Sequence, residues 1–289
     1  MRFALGTAQF GMTYGIANTS GQVTQEKAHE ILRFCKTIGI DVLDTAISYG
    51  DSEECLGNFG VNNFNLITKL PLIPESTKDI DNWIRSEIEA SISRLKIETI
   101  YGLMLHRPKQ LLNNQGNQIL NSLDKLKESG KIKKVGVSVY SPEELKIILN
   151  LYDFDIVQVP FNLIDRRLVS SGWLNRLNKK GVEVHARSAF LQGLLLMKRN
   201  EIPEKFKRWD NIWDEWHDWL KMSSISPIES CISYVLSYAD VNKIVLGVEN
   251  VHQLQEIIEA KNKEPEILSF PEISSNDIKL INPSNWNSL

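Results

Sequence analysis

Cysteine is scarce in this sequence, and its placement argues against a disulfide framework. The 289 residues include three cysteines, Cys35, Cys55 and Cys231, which are odd in number and show no CxxC spacing. Secreted domains that depend on disulfides use an even number of cysteines at closer spacing. We therefore interpret these residues as buried, reduced thiols.

Long apolar runs and an excess of one charge are also absent. No run approaches the roughly 18 residues that cross a bilayer, and the opening MRFALGTAQFG meets glycine and polar residues too soon for a signal peptide. The 33 basic and 36 acidic residues give a net charge of −3. This balance offers no electrostatic reason for a nucleic-acid or membrane partner. We expect a soluble, cytoplasmic protein.

The sequence does contain a regular alternation of short β-rich runs and helical segments. The β-rich runs lie at 3–7, 41–45, 64–69, 99–105, 134–139, 155–159, 182–186 and 243–247. Each is followed by at least one segment with helical spacing of apolar residues, such as 24–38, 79–95 and 117–129. Apolar strands that alternate with helices predict a parallel sheet. Eight such units favour closure into a (β/α)8 TIM barrel, with residues 1–289 forming a single domain.

An open, doubly wound sheet is the structural alternative. Such a sheet carries a GxGxxG fingerprint after its first strand, whereas residues 6–11 read GTAQFG. The barrel is therefore favoured. Helix start signals agree with the alternation, because Ser141-Pro142 and Ser226-Pro227 each combine an N-cap serine, a proline at the first helical position and a glutamate at the third.

One segment, 198–225, interrupts the alternation and is rich in tryptophan. Four tryptophans lie there at helical spacing on one face: Trp209, Trp213, Trp216 and Trp219. We interpret the segment as a helix docked on the barrel wall. The alternative is an aromatic lid or substrate wall, which would suit a carbohydrate-like substrate. The tail, 265–289, is expected to pack on the barrel and to reach the rim of the active site.

Polar side chains of four kinds follow consecutive predicted strands. Asp44 ends the second strand and Tyr49 lies in its loop, while Lys69 and His106 end the third and fourth. The carboxyl ends of barrel strands meet at one rim. A single polar residue at the end of a strand usually has only a structural role. Chance is a poor explanation for four such residues after consecutive strands. An ammonium lowers the pKa of a nearby phenol, a carboxylate holds the ammonium, and an imidazole polarises a carbonyl. The set indicates proton delivery to a carbonyl oxygen.

Over nearly its whole length the sequence resembles the aldo-keto reductase family. The motif DTAxxYG stands at 44–50, with the lysine and histidine motifs at 68–69 and 105–106. Further matching stretches are KIKKVGVSVYS (131–141), VQVPFNLIDR (157–166), SAFLQGLL (188–195) and GVENVHQLQEII (247–258).

The resemblance implies roles for the four residues. Tyr49 is the general acid, Lys69 lowers the pKa of Tyr49, Asp44 pairs with Lys69, and His106 orients the substrate carbonyl. The implied partner is a small-molecule carbonyl or sugar, which is reduced, or whose alcohol is oxidised, by direct hydride transfer. The implied alternatives are a redox-sensing regulatory protein that binds nicotinamide nucleotides, and a sugar epimerase or isomerase that shuttles hydride. We expect a monomer or small homo-oligomer.

The resemblance also implies a cofactor, NADP(H) or NAD(H), and no metal. The implied nicotinamide-side contacts are Ser138, Gln158 and Asn162. The implied pyrophosphate and adenosine contacts are Leu191, Gly193, Gly247, Glu249, Gln253 and Glu256.

Two departures from the family pattern concern the nicotinamide. Val139 stands where an asparagine often binds the carboxamide, and Arg187 stands where an aromatic residue often stacks on the ring. Arg187 is expected to stack on the nicotinamide or to meet an acidic group of the substrate. The alternative is an ordinary ion pair with a nearby carboxylate.

A third departure concerns the choice of cofactor. No arginine or lysine occupies the stretch from Val248 to Gln253 that would hold the 2′-phosphate of NADPH, and Glu249 would repel it. A carboxylate can instead accept a hydrogen bond from a ribose hydroxyl. We therefore expect a weakened NADPH preference. The alternative is that Glu249 faces solvent and a lysine such as Lys243 compensates.

Overall fold

Eight parallel strands form a closed barrel in sequence order in the computed structural model, which describes residues 1–263 and 269–289. The strands are β1 (Phe3–Gly6), β2 (Val42–Asp44), β3 (Asn65–Leu70), β4 (Ile100–Leu105), β5 (Ile132–Ser138), β6 (Ile156–Pro160), β7 (Glu183–Arg187) and β8 (Lys243–Gly247). β8 closes the barrel by pairing with β1, with Phe3 opposite Ile244. The predicted (β/α)8 architecture is confirmed.

Helices surround the strands in the expected places. The α-helices are α1 (Ala8–Gly11), α2 (Gln25–Ile38), α3 (Ser52–Phe59), α4 (Ile80–Leu95), α5 (Gly116–Glu128), α6 (Pro142–Ile148), α7 (Arg167–Ser170), α8 (Trp173–Lys179), α9 (Asp210–Ser223), α10 (Pro227–Leu236), α11 (Val251–Lys263) and α12 (Ile278–Ile281). Short 3-10 turns occur at Pro108–Leu112, Leu191–Leu196, Arg199–Glu201, Glu204–Trp209 and Pro283–Ser288. None of the helices in the described residues has the length and apolar character needed to cross a membrane. All three cysteines are buried and unbridged.

The predicted helix signals act as expected, with one difference. In α10, Ser226 and Glu229 form the reciprocal capping box. In α6, the Ser141 side chain accepts a hydrogen bond from the Glu144 amide, but the Glu144 carboxylate accepts from the amide of Tyr140 at 2.6 Å. The glutamate therefore fixes the residue before the cap, at the end of the loop that follows β5.

The tryptophan-rich segment is a helix docked on the barrel, as predicted. Trp213 and Trp216 are fully buried. Their indole N–H groups donate to the carbonyl oxygens of Phe206 at 3.0 Å and Leu195 at 3.2 Å. Both indole N–H groups therefore have an acceptor, and the two rings are buried without leaving an indole donor unsatisfied.

The described part of the tail packs on the barrel, while residues 265–268 of the predicted tail lie outside the described residues. The Ser275 amide donates to the carbonyl of Ile164 at 2.9 Å. Trp286 is 4% exposed and meets Phe206 edge-on, with ring centroids 4.9 Å apart. The end of the chain is therefore anchored to the same face as the tryptophan-rich segment.

A buried acid, Glu53, connects α3 to β3 and α4 next to the loop that follows β2. Glu53 is 1% exposed, and its carboxylate accepts hydrogen bonds from Thr68 and Ser91 at 2.7 Å each. Arg94 adds two more bonds, at 2.9 and 2.7 Å. Since α3 follows directly on the loop that carries Tyr49, this network fixes one end of that loop.

We predict that Glu53→Gln lowers the free energy of unfolding by about 2 kcal/mol, because it removes a charged acceptor that serves four donors. The neighbouring Glu54 is exposed, so Glu54→Gln is the matched control and should change stability by less than about 0.5 kcal/mol. Urea unfolding followed by circular dichroism measures both. Equal effects of the two substitutions would contradict the role of the network.

Candidate active site

A buried ion pair lies at the carboxyl ends of β2 and β3. The Lys69 ammonium donates to the Asp44 carboxylate at 2.6 Å and to the Thr45 carbonyl at 2.8 Å. Lys69 is 1% exposed and Asp44 is 4% exposed. A buried ammonium is tolerated only with such partners. The predicted pairing of Asp44 with Lys69 is therefore present.

Gln158 contacts this ion pair from the opposite side of the barrel. Its side-chain amide, on β6, donates to the second carboxylate oxygen of Asp44 at 2.7 Å, and its carbonyl oxygen accepts from Ser138 at 3.4 Å. Both carboxylate oxygens of Asp44 are thus occupied. Gln158 also lines the cavity described below, so the one side chain connects the ion pair to a potential ligand.

Tyr49 lies above the ion pair, on the loop after β2. The Lys69 nitrogen is 5.1 Å from the centre of the Tyr49 ring. Two glycines allow this loop to approach the loop after β1. A Cβ on Gly11 would lie 1.7 Å from the Tyr49 carbonyl oxygen, and a Cβ on Gly50 would lie 2.2 Å from the Gly11 carbonyl oxygen. Any larger residue would displace Tyr49.

The surroundings of Tyr49 raise the pKa of its phenol. Burial raises it above the ordinary value, and the negative charge of Asp44 raises it further, while Arg187 and Arg107 oppose the shift. The Lys69 ammonium lies close to the phenol, but its pairing with the Asp44 carboxylate partly offsets its positive charge. The phenol is therefore protonated throughout the neutral range and available as a proton donor.

His106 faces Tyr49 as a neutral imidazole. The two rings meet edge-on, with centroids 5.8 Å apart. Burial, followed by the positive charges of Lys69, Arg107 and Arg187, lowers the pKa of His106 to about 3. Its Nδ1 lies 3.3 Å from the Ser48 hydroxyl. When Ser48 donates to Nδ1, the ring proton is on Nε2, which can donate to a carbonyl oxygen.

A long cavity extends from Tyr49 to the start of α11. The predicted site residues that line it are Asp44, Tyr49, Gln158, Arg187, Gly193, Gly247, Glu249, Gln253 and Glu256. The lining residues that the sequence analysis did not single out include Gln9, Tyr14, Asn18, Phe190 and Gln192. Gln9 lies within the GTAQFG stretch at residues 6–11, directly after β1. The loop around Tyr14 carries no periodicity that could have identified it.

Two predicted cofactor contacts lie behind the cavity wall. Asn162 is fully buried, and its side-chain oxygen accepts from the amides of Ile164 and Asp165 at 2.9 and 2.8 Å. Its side-chain nitrogen donates to the Ser188 carbonyl at 3.0 Å. Leu191 is also fully buried. Asn162 therefore joins the loops after β6 and β7, and Leu191 packs in the core beneath them.

The loop after β7 has an unusual backbone where it lines the cavity. Ser188, Leu191 and Gln192 have positive φ angles of 61°, 48° and 53°, and Gly193 follows at 91°. A Cβ on Gly193 would lie 2.5 Å from the Cβ of Ala17. The amides of Leu191 and Gly193 donate within the loop, to the carbonyls of Ser188 at 2.8 Å and Phe190 at 2.9 Å. Such strained loops occur at ligand clamps.

The far end of the cavity is acidic. Glu249 and Glu256 line it, and no described arginine or lysine lines this end. Lys243 does not compensate, because it lies at the start of β8 and its ammonium bonds Asp41 at 2.7 Å and the Met1 carbonyl at 2.9 Å. Glu249 is partly exposed and lines the cavity.

A second cavity lies on the other side of His106. It is lined by His106, Arg107, Pro108, Lys109, Ser138, Tyr140, Ser141, Glu144, Arg167, Ile278, Asn282 and Ser284. The last three belong to the tail, so the tail reaches the rim as predicted. No tryptophan of the segment 198–225 lines either cavity. That segment therefore does not form the alternative aromatic substrate wall.

The lining of the long cavity suits a nicotinamide dinucleotide. Gln158 offers a side-chain amide beside Asp44, Gly193 keeps the wall of the loop after β7 free of a side chain where a pyrophosphate would lie, and Glu249 offers an acceptor for ribose hydroxyls. Gly247 leaves space at the end of β8, where an added Cβ would meet the Gln9 side chain at 2.6 Å. The residues present fit the group.

Comparisons with known proteins agree with this geometry. The model of the Aldo/keto reductase family matches residues 2–277. The chain is 26% identical to an uncharacterized oxidoreductase of Bacillus subtilis, YqkF, covering 95% of this chain and 96% of that protein. It is 23% identical to the NADH-specific methylglyoxal reductase of Escherichia coli, covering 90% of each.

The fold comparison gives the same result. A holo-form aldo-keto reductase from Bacillus halodurans superposes with a TM-score of 0.71 over 93% of this chain and 87% of that chain, at 20% identity. The family match spans nearly the whole chain, and the closed barrel carries the expected polar residues on one rim. The chain therefore belongs to the aldo/keto reductase family and is an NAD(P)-dependent oxidoreductase.

Proposed function

We propose that the protein reduces the carbonyl of a small polar aldehyde, ketone or sugar, or oxidises the corresponding alcohol, with Tyr49 as the general acid. The observation that carries this proposal is the buried Asp44–Lys69 pair beneath Tyr49, with neutral His106 edge-on to the same ring. The four side chains meet at the carboxyl ends of the strands, where barrel enzymes place their chemistry.

The nicotinamide, when bound, supplies hydride to the carbonyl carbon. Negative charge then develops on the carbonyl oxygen, and the Tyr49 phenol donates its proton there. The Lys69 ammonium, 5.1 Å from the ring centre, stabilises the phenolate that remains. His106 Nε2 donates a hydrogen bond that holds the oxygen in place. In the oxidative direction the same phenolate accepts the proton.

Asp44 holds the Lys69 ammonium in place in this scheme. Burial of a charge away from water is costly unless a partner of opposite charge compensates it. The carboxylate 2.6 Å away offsets that penalty, and Gln158 holds the carboxylate in turn. The Asp44 charge nevertheless raises the pKa of Tyr49, so the pair favours a protonated donor before hydride transfer.

We expect Tyr49→Phe to lower kcat by about 100-fold or more, the usual contribution of a positioned general acid. NADH binding, measured by tryptophan fluorescence, should change by less than about twofold because the ring remains. Tyr152→Phe, the same change at a half-buried residue that lines neither cavity, is the control. If Tyr49→Phe retained more than about a third of the activity, the proton-donor assignment would be wrong.

We further propose that NAD(H) is preferred over NADP(H). The 2′-phosphate of NADP(H) would lie against Glu249 and Glu256, with no basic side chain from the described residues at that end. Like charges without a screening cation repel. A relative that shares the family carries the name NADH-specific methylglyoxal reductase, which is consistent with such a preference within this fold.

A fluorescence titration should give a dissociation constant about tenfold lower for NADH than for NADPH, about 1.4 kcal/mol of discrimination. Glu249→Gln should reduce the difference between the two dissociation constants, because NADPH should bind more tightly to this variant. The control is Glu259→Gln, because Glu259 is exposed on α11 and lines neither cavity. Tighter binding of NADPH than of NADH by the unmodified protein would contradict the proposed preference.

A further inference from the structure

Two arginines flank the reacting end of the site without a carboxylate partner among the described residues. Arg107 follows His106 directly, is exposed at the second cavity, and makes no side-chain hydrogen bond or ion pair with the part of the chain that the structure describes. Arg187 ends β7 and is half-buried at the long cavity. The ion-pair alternative for Arg187 is therefore not what the structure shows.

Arg187 is held in place although its charge is not neutralised. Its guanidinium donates to the Val139 carbonyl at 3.1 Å and to the Ser188 hydroxyl at 3.4 Å. It also lies over the Tyr140 ring, 4.2 Å from the centroid. A guanidinium has five donors. The remaining donors are pre-oriented for a further acceptor, which favours binding of an anion in a fixed position.

The other cations of the second cavity are already paired. Arg167 makes two bonds of 2.8 Å to the carboxylate of Asp165. Lys109 lies 3.2 Å from the carboxylate of Glu144. The net positive charge at this end of the site therefore comes from Arg107 and Arg187.

The two arginines lie on either side of the reacting groups. Three contacts join side chains that line the long cavity to side chains that line the second cavity: Tyr49 with His106, Gln158 with Ser138, and Arg187 with Tyr140. Both guanidinium charges lower the pKa of Tyr49 and that of His106, so both act within electrostatic range of the proton donor and the imidazole. An anion bound between them would be a few atoms from a carbonyl at Tyr49.

We propose that the substrate carries an anionic group, a carboxylate or a phosphate, which Arg107 and Arg187 bind while the carbonyl lies against Tyr49 and His106. This assignment rests on the proposed carbonyl reduction and names its substrate class. Charge-assisted bonds from planar guanidinium groups give both affinity and orientation to such an anion. Ser141, Asn282 and Ser284 line the second cavity and offer further hydrogen bonds to a polar chain.

Pairs of aldehydes that differ in an anionic group test the proposed substrate class. We expect kcat/KM to be about tenfold higher or more for succinic semialdehyde than for butanal, or for glyceraldehyde 3-phosphate than for glyceraldehyde. The pair that shows the larger ratio distinguishes a carboxylate from a phosphate. Equal kcat/KM within both pairs, in a protein that reduces all four aldehydes, would overturn the anion assignment and leave the carbonyl reduction intact.

Variants test the two arginines. Arg107→Gln and Arg187→Gln should each lower kcat/KM for the anionic aldehyde by roughly tenfold to 100-fold, mainly through a higher KM. The ratio of kcat/KM for the anionic aldehyde to kcat/KM for the neutral aldehyde should then approach one. Arg107→Lys should recover part of the loss. Lys131→Gln, the same charge change on an exposed residue at the opposite end of the barrel, is the control and should leave the ratio unchanged.

Two binding measurements complete the test without turnover. Succinate and inorganic phosphate, titrated into the NADH complex, should bind the unmodified protein and bind Arg107→Gln at least about tenfold more weakly. Binding of neither anion to the unmodified complex would overturn the proposal. A loss of NADH affinity in Arg187→Gln as large as its loss in kcat/KM would also overturn it, because Arg187 would then belong to the cofactor. Absence of any carbonyl reduction despite NADH and anion binding would instead refute the proposed function alone.

Discussion

The contact between the Lys69 ammonium and the Asp44 carboxylate determines how the rest of the site is arranged. Two charges that are nearly removed from water are stable only when each is hydrogen-bonded, and here the Thr45 carbonyl and the Gln158 amide complete the set. Because the ammonium is paired with Asp44, burial and the Asp44 charge raise the pKa of Tyr49 above its ordinary value. The donor is thus protonated before reaction, and Lys69 acts when phenolate forms.

The barrel supplies what this ion pair requires. Asp44 lies opposite Ile67 of β3, so Lys69, two residues further along β3, reaches the Asp44 carboxylate from the same face of the sheet. Strand β6 brings Gln158 from across the barrel. The close approach of the loops at Gly11 and Gly50 then fixes Tyr49 above the pair. Positioning of this kind lowers the barrier because no reorganisation is needed when charge develops on the substrate. The same rim leaves two arginine charges for an anionic substrate group.

The sequence predicts this architecture well because its signals are local. Apolar runs that alternate with amphipathic segments define every strand, and a side chain that directly follows a strand must lie at the rim, which is why the four proposed catalytic residues are found from spacing. Other features depend on packing that spacing does not encode. The Asn162 amide turns inward because buried loop amides need an acceptor. The pKa of Tyr49 rises because of burial, and the loop around Tyr14 lines the cavity without any sequence periodicity.

The most direct test of this account is a double-mutant cycle on Asp44→Asn and Lys69→Met, with kcat expressed per NADH-binding protein so that misfolded material is excluded. If the two residues act as one unit, each single variant loses about 100-fold or more, and the double variant is no slower than the slower single variant. If the two losses multiply, Asp44 and Lys69 contribute independently. That result would contradict the central role of the ion pair.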